Sequence, residues 1–185
     1  MTNIIGIAGS LRTGSLNASL LRAAAALMPA GAQLDIATIK DIPLYDGDVE
    51  AAEGIPAPVA ALKDRIAGAD GLLLVSPEYN NSIPGVFKNA IDWLSRPPAD
   101  IPRVFHRRPV ALIGASPGGF GTVLAQNAWL PVLHTLGMRH WSGARLLVSR
   151  AGSVFDADGN LTDEKIKGQL QQFLKGFVEF AKQGQ

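Results

Sequence analysis

Five short apolar runs alternate with helical segments along this chain, and that alternation restricts the fold more than any other feature. The runs are NIIGIAG, AQLDIAT, DGLLLVS, RPVALIGAS and HWSGARLLV. Segments of helical character lie at 15–27, 58–67, 84–94, 122–136 and 162–182. Apolar runs this continuous read as buried strands. Their alternation with helices then asks for a parallel sheet covered on both faces. In LTDEKIKGQL, a Thr162 cap followed by acids suits the start of the last helix. The polar, proline-rich stretch IPLYDGDVEAAEGIPAP reads as a long loop and not as a domain boundary. With no repeat and no low-complexity linker, the 185 residues are expected to form one domain, 1–185.

In such a sheet, ligands bind beyond the carboxyl ends of the strands, near the switch point. The loops after the first, third and fourth runs therefore belong together: GSLRTGSLN, SPEYNNSIPG and SPGGFGT. The first holds Ser10, Ser15 and Asn17 as side-chain donors, Arg12 as a planar cation, and no carboxylate. Placed at a helix N-terminus, with its unpaired N–H groups and partial positive charge, that set suits a phosphate monoester. The plainer possibility is that Ser15 or Asn17 only caps the helix.

Other phosphate motifs are missing. There is no Gly-x-x-x-x-Gly-Lys-Ser/Thr, and GGFGTVL puts Leu124 where the last glycine of a dinucleotide fingerprint belongs. In the second loop, Pro77 and Pro84 stiffen the backbone and Tyr79 offers either a ring face or an interface aromatic. Glu78, Asn80 and nearby amides could meet the edge of a polar heterocycle. In the third loop, Gly118, Gly119 and Gly121 let main chain approach a ligand closely.

GSLRTGSLN, PEYNNSIPGVFKNAIDWLSR and SPGGFG resemble the flavodoxin-like NAD(P)H-dependent FMN reductase family, which includes bacterial quinone and chromate reductases and azoreductases. The likeness runs from Ile4 to about Val148. It implies a doubly wound α/β fold with a five-stranded parallel sheet, strand order 2-1-3-4-5. It implies non-covalent FMN as cofactor and NADPH or NADH as co-substrate. Ser10, Arg12, Ser15, Leu16 and Asn17 would hold the FMN phosphate and ribityl chain. Pro77, Glu78, Tyr79 and Asn80 would line the isoalloxazine with Ser82 nearby, and Ser116, Gly118 and Gly119 would lie at its other edge. No side-chain acid or base is required, so no catalytic residue is expected. Small acceptors (quinones, free flavin, azo compounds, chromate-like oxyanions) would take the electrons in a ping-pong exchange. The alternative is a flavodoxin-type FMN carrier with no nicotinamide activity of its own.

Composition narrows these choices. A net charge of +1 lacks the basic excess of a nucleic-acid binder and the acidity of most carriers of that type. Without cysteine there is no thiolate metal site and no cysteine nucleophile. The three histidines, His106, His134 and His140, show no metal-ligand spacing, so no metal is expected. No signal peptide is evident, and a cytoplasmic protein is the expectation.

Residues 109–138 carry no Asp, Glu, Lys or Arg, but polar residues and Pro131 interrupt the run, so no membrane span is expected. A helix apolar on more than one face points instead to a subunit interface, in a homodimer or homotetramer. GASPG matches a hydrolase nucleophile elbow at Ser116, yet Pro117 has no N–H for an oxyanion hole. Arg103, Arg107 and Arg108 form either a solvated basic face or a grip on an NADPH phosphate.

Overall fold

Parallel pairing throughout arranges the strands in the order β2-β1-β3-β4-β5, the doubly wound, flavodoxin-like topology. A computed structural model describes residues 1–183; the last two positions of the expected 1–185 domain lie outside the described residues. The strands are β1 (Thr2–Ala8), β2 (Ala32–Ala37), β3 (Gly71–Val75), β4 (Pro109–Ala115), β5 (Arg139–His140) and β6 (Leu146–Val148). The helices are α1 (Leu16–Ala26), α2 (Gly47–Glu53), α3 (Ala57–Ala67), α4 (Gly85–Leu94), α5 (Ile101–Val104), α6 (Val123–Thr135) and α7 (Glu164–Lys182).

Successive side chains of a strand point to opposite faces, and β1, β3 and β4 use both. Ile5, Ile7, Leu72, Leu74, Val110 and Leu112 pack on α3, α4 and α6, around Phe87, Trp93 and Trp129. Ile4, Leu73, Val75, Ala111 and Ile113 pack on α1 and α7, around Leu20, Leu21, Phe173 and Phe177. Every residue of β3 and β4 is buried, which explains why their sequences show no alternation.

Four local expectations are corrected. The fifth run is two short strands, β5 and β6, which pair in turn with the start and end of β4. Between them Trp141 keeps one bond to the Val110 carbonyl (2.8 Å) while its ring packs edge-on against Phe173 of α7. The stretch at 42–58 contains α2, capped by Asp46 and stopped at Gly54 in the left-handed region (φ 79°). None of its residues is buried, so no apolar period announces it. At α7 the cap is Asp163, which accepts the N–H of Ile166, while the Thr162 hydroxyl donates to the Val154 carbonyl. β2 is an edge strand and not a buried one: Gln33, Asp35 and Ile36 are exposed, Ile36 at 43 %, while Leu34 is half-buried and Ala37 is buried. Among the described residues, no helix is long and apolar enough to cross a membrane.

Candidate functional site

The order of the strands sets β1, β3 and β4 side by side, and their carboxyl ends are tied in series. Gly9 N–H donates to the Val75 carbonyl, Ser76 N–H to Ile113 and Ser116 N–H to Val148, each at 2.9 Å. Gly9 is required at the base of the first loop, because a Cβ there would lie 2.1 Å from Cδ1 of Phe87, the fully buried ring of α4. Phe87 packs edge-on against Trp129, whose Nε1 donates to Ser76 Oγ at 3.0 Å. The loops therefore rise from a rigid aromatic floor.

Above it lies a cleft lined by Ser10, Arg12, Ser15, Leu16 and Asn17, by Pro77, Glu78 and Tyr79, and by Ala115, Ser116 and Pro117. In the first loop, Ser10 Oγ accepts the Arg12 N–H (3.3 Å), and Ser15 Oγ caps α1 by accepting the Ala18 N–H (3.2 Å). The N–H groups of Leu16 and Asn17 sit in the first turn, with no carbonyl four residues back within the helix. Ser116 Oγ accepts the Gly118 N–H (3.1 Å), repeating in the third loop the turn built at Ser10.

Two polar side chains are engaged elsewhere. Asn17 is buried, with both amide atoms bonded to the main chain of Ala115. Glu78 Oε2 accepts the N–H groups of Leu124 and Ala125 at 2.8 and 2.9 Å, placing the carboxylate on the positive end of α6. The single acid in the cleft is thereby committed to protein donors. Arg12 makes no ion pair and no side-chain hydrogen bond among the described residues. The cleft offers donors and a cation to an incoming anion.

Asn80, Ser82, Gly118 and Gly119 stand outside the cleft lining. Asn80 and Asn81 are both left-handed (φ 49° and 61°), and Tyr79 and Ser82 exchange main-chain bonds across them. The four residues form a tight hairpin turn, for which a pair of asparagines is a suitable signal. Gly118 and Gly119 are exposed at the rim, and a Cβ on Gly119 would meet no atom within 4 Å.

The sequence alone did not single out Phe120, 81 % exposed next to those glycines, or Arg150, whose N–H donates to the Gly118 carbonyl at 2.9 Å. Arg150 follows β6 as the other loops follow their strands, so the carboxyl-end rule applied to the last strand would have found it.

The basic cluster belongs to the opposite end of the sheet, before β4 begins. Arg103 pairs with Asp64 at 2.8 Å, and the Arg108 guanidinium donates to the carbonyls of Val104, Ala69, Ala67 and Arg103. Burial holds Arg108 below its ordinary pKa. These arginines join α3, α5 and β4 and do not face the cleft. His140 is held below its ordinary pKa by burial and then by Arg145. No group of three potential metal ligands exists among the described residues.

Residues 2–152 match the family model described as NADPH-dependent FMN reductase. The chain belongs to that family. The NADPH-dependent FMN reductase model thus covers all three loops and every strand. An NAD(P)H-dependent FMN reductase of Pseudomonas aeruginosa is 43 % identical over 172 residues, covering 93 % of this chain and 91 % of its own. A 2-hydroxy-1,4-benzoquinone reductase of a Burkholderia species is 38 % identical over 176 residues, covering 95 % and 94 %. Among solved structures, FerB, a flavoenzyme NAD(P)H:(acceptor) oxidoreductase from Paracoccus denitrificans, superposes with a TM-score of 0.88 at 35 % identity, covering 100 % of this chain and 99 % of its own.

Proposed function

We propose that this FMN reductase family member is an FMN-dependent NAD(P)H oxidoreductase that delivers electrons to small acceptors, among them quinones, free flavin, azo compounds and chromate-like oxyanions. The observation that carries this is the donor set of the cleft: three loops present N–H groups, hydroxyls and Arg12, while the lone carboxylate is turned onto α6. Such a set fits one terminal phosphate beside a flat polar ring.

Arg12, Ser10, Ser15 and the first-turn N–H groups of Leu16 and Asn17 hold the phosphate and the polyol next to it. Pro77, Glu78 and Tyr79 wall the ring, with Asn80 and Ser82 setting the turn that carries Tyr79. Ser116, Gly118 and Gly119 bring main chain to its far edge, where N–H groups offset negative charge. FMN held by these residues would supply the two-electron chemistry that links nicotinamide oxidation to acceptor reduction. Glu78 serves as a cap, so the protein supplies position and electrostatics without a side-chain base. With the ring walled on one side, nicotinamide and acceptor share the open side in turn.

The reading extends to a single FMN-binding domain over the whole chain, a cytoplasmic location and a homodimer or homotetramer. Assembly is supported by exposed Leu124 and Leu130 on α6 and Val86 on α4. Denatured protein should release flavin bearing one phosphate, and double-reciprocal plots at several acceptor concentrations should be parallel. Released FAD would overturn the cofactor assignment, and intersecting lines would overturn the shared site. If neither nicotinamide bleaches the flavin, the electron-carrier alternative replaces the enzyme.

A further inference from the structure

From residue 101 to 155 the chain holds six arginines and no carboxylate. Four of the six are accounted for. Arg103 pairs with Asp64, Arg108 clamps carbonyls, Arg139 lies 4.7 Å over the Phe180 ring, and Arg145 donates to Asn127. Arg107 sits before β4, at the end of the sheet away from the cleft. Arg150 remains. It is exposed, and its side chain makes no ion pair or hydrogen bond among the described residues.

Its backbone is fixed. Arg150 is left-handed (φ 50°), its N–H is bonded to the Gly118 carbonyl, and the next residue, Ala151, donates to the Ser116 carbonyl at 3.0 Å. The residue is thus locked to the third loop, the one placed at the far edge of the flavin ring. Arg12 stands on the first loop, two strands away. Arg12 lines the cleft and Arg150 stands exposed beside the third loop, outside the cleft lining, so a flavin monophosphate held by Arg12 leaves Arg150 unused. The other reaction partner brings further phosphates: two in NADH and three in NADPH.

We infer that Arg150 binds a phosphate of the reduced nicotinamide dinucleotide, steadying the co-substrate while its nicotinamide lies on the open side of the ring. This rests on the flavoenzyme reading above. A charged hydrogen bond to phosphate is favoured where the guanidinium is not already paired with a carboxylate, and Arg150 forms no ion pair among the described residues.

The test uses FMN-loaded protein as wild type, Arg150→Ala and Arg150→Lys. Each is titrated calorimetrically with NADP+ and NAD+, which bind without reducing the flavin, and then assayed with NADPH and NADH. Arg150→Ala should weaken dinucleotide binding roughly tenfold, with the kinetic loss falling on KM and not on kcat. Arg150→Lys should recover part of it. Weakening of NADP+ alone assigns the contact to the 2′-phosphate; equal weakening of NAD+ assigns it to the diphosphate. Unchanged affinity for both, on protein that still holds FMN, overturns the inference. So does a matching loss of FMN, which would make Arg150 a cofactor contact. Wild-type protein that takes up no FMN would sink the flavoenzyme reading instead.

Discussion

Both amide atoms of Asn17 close onto the main chain of Ala115: Nδ2 donates to the carbonyl at 2.8 Å and Oδ1 accepts the N–H at 2.9 Å. The pair joins the first turn of α1 to the last residue of β4, 98 positions apart, and Asn17 is only 4 % exposed. The bond fixes the gap between the two loops assigned to opposite ends of the cofactor.

Asn17→Ala leaves a buried N–H and a buried carbonyl without partners, at a cost of about 2–4 kcal/mol. Urea unfolding should show that loss, and FMN and riboflavin should both bind more weakly, because the spacing of the loops is disturbed. Arg12→Ala should behave differently. It should weaken FMN about tenfold to a hundredfold, spare riboflavin, and leave stability nearly unchanged. Equal losses of the two flavins in the Arg12 variant would mean that the first loop does not hold phosphate.

At Glu78 the expectation separates capping from proton transfer. Removing the carboxylate in Glu78→Ala frees two N–H groups of α6 and should cost about 1–2 kcal/mol. Glu78→Gln keeps one acceptor oxygen and should recover roughly half of that. In neither variant should the pH profile of kcat lose a limb. A limb that vanishes in Glu78→Gln would show that the carboxyl moves a proton during turnover.

Much of this was legible in the residues, for identifiable reasons. β3 and β4 are buried on both faces, so DGLLLVS and RPVALIGAS stand out as unbroken apolar runs. α2 buries nothing and had no period to show, though Asp46 and Gly54 mark its two ends. Asn80 and Asn81 together are a turn signal, although the sequence reading offers Asn80 only as a ring-edge donor. The use of Glu78 could not be read at all. Its partners lie 46 and 47 positions onward, and only the crossing of the second loop over α6 brings them together. The same holds for Asn17, typed correctly as a residue near a helix start but bonded to another strand.

Gly9→Ala tests the aromatic floor. The added methyl overlaps Phe87, and overpacking of this kind costs about 1–3 kcal/mol. Phe87→Leu in the same chain should relieve part of it, so the double variant should be more stable than the sum of the two single losses predicts. Strict additivity would show that the two residues do not press on each other.

A pH dependence follows from Lys63 and Asp100. Lys63 is 2 % exposed, bonds the Arg96 carbonyl at 2.5 Å, and forms an ion pair with Asp100. The hydrogen bond from Lys63 holds the Asp100 carboxyl below its ordinary value of 3.8. A depressed carboxylate contributes stability that is present above its unfolded value and is lost as the pH falls through the folded one. Asp100→Asn should therefore cost about 2 kcal/mol at pH 7, less than a fully buried pair because the carboxylate is partly exposed. The gap to wild type should close as the pH is lowered below 4. Urea midpoints at the two ends of that range measure it, and a gap independent of pH would contradict the assignment.

The serial ties of Gly9 to Val75, Ser76 to Ile113 and Ser116 to Val148 also make the platform a ruler. Neighbouring strands are spaced about 4.8 Å apart, so the first and third loops stand roughly 10 Å from each other. That interval is counted in strands, and the Asn17 amide holds the loops to it. A molecule with a phosphate at one end and a ring edge at the other engages both loops only if its length matches. Inorganic phosphate or riboflavin would reach one mark each and forfeit the other. Selection by length is therefore written into the order of the strands, before any individual contact is made.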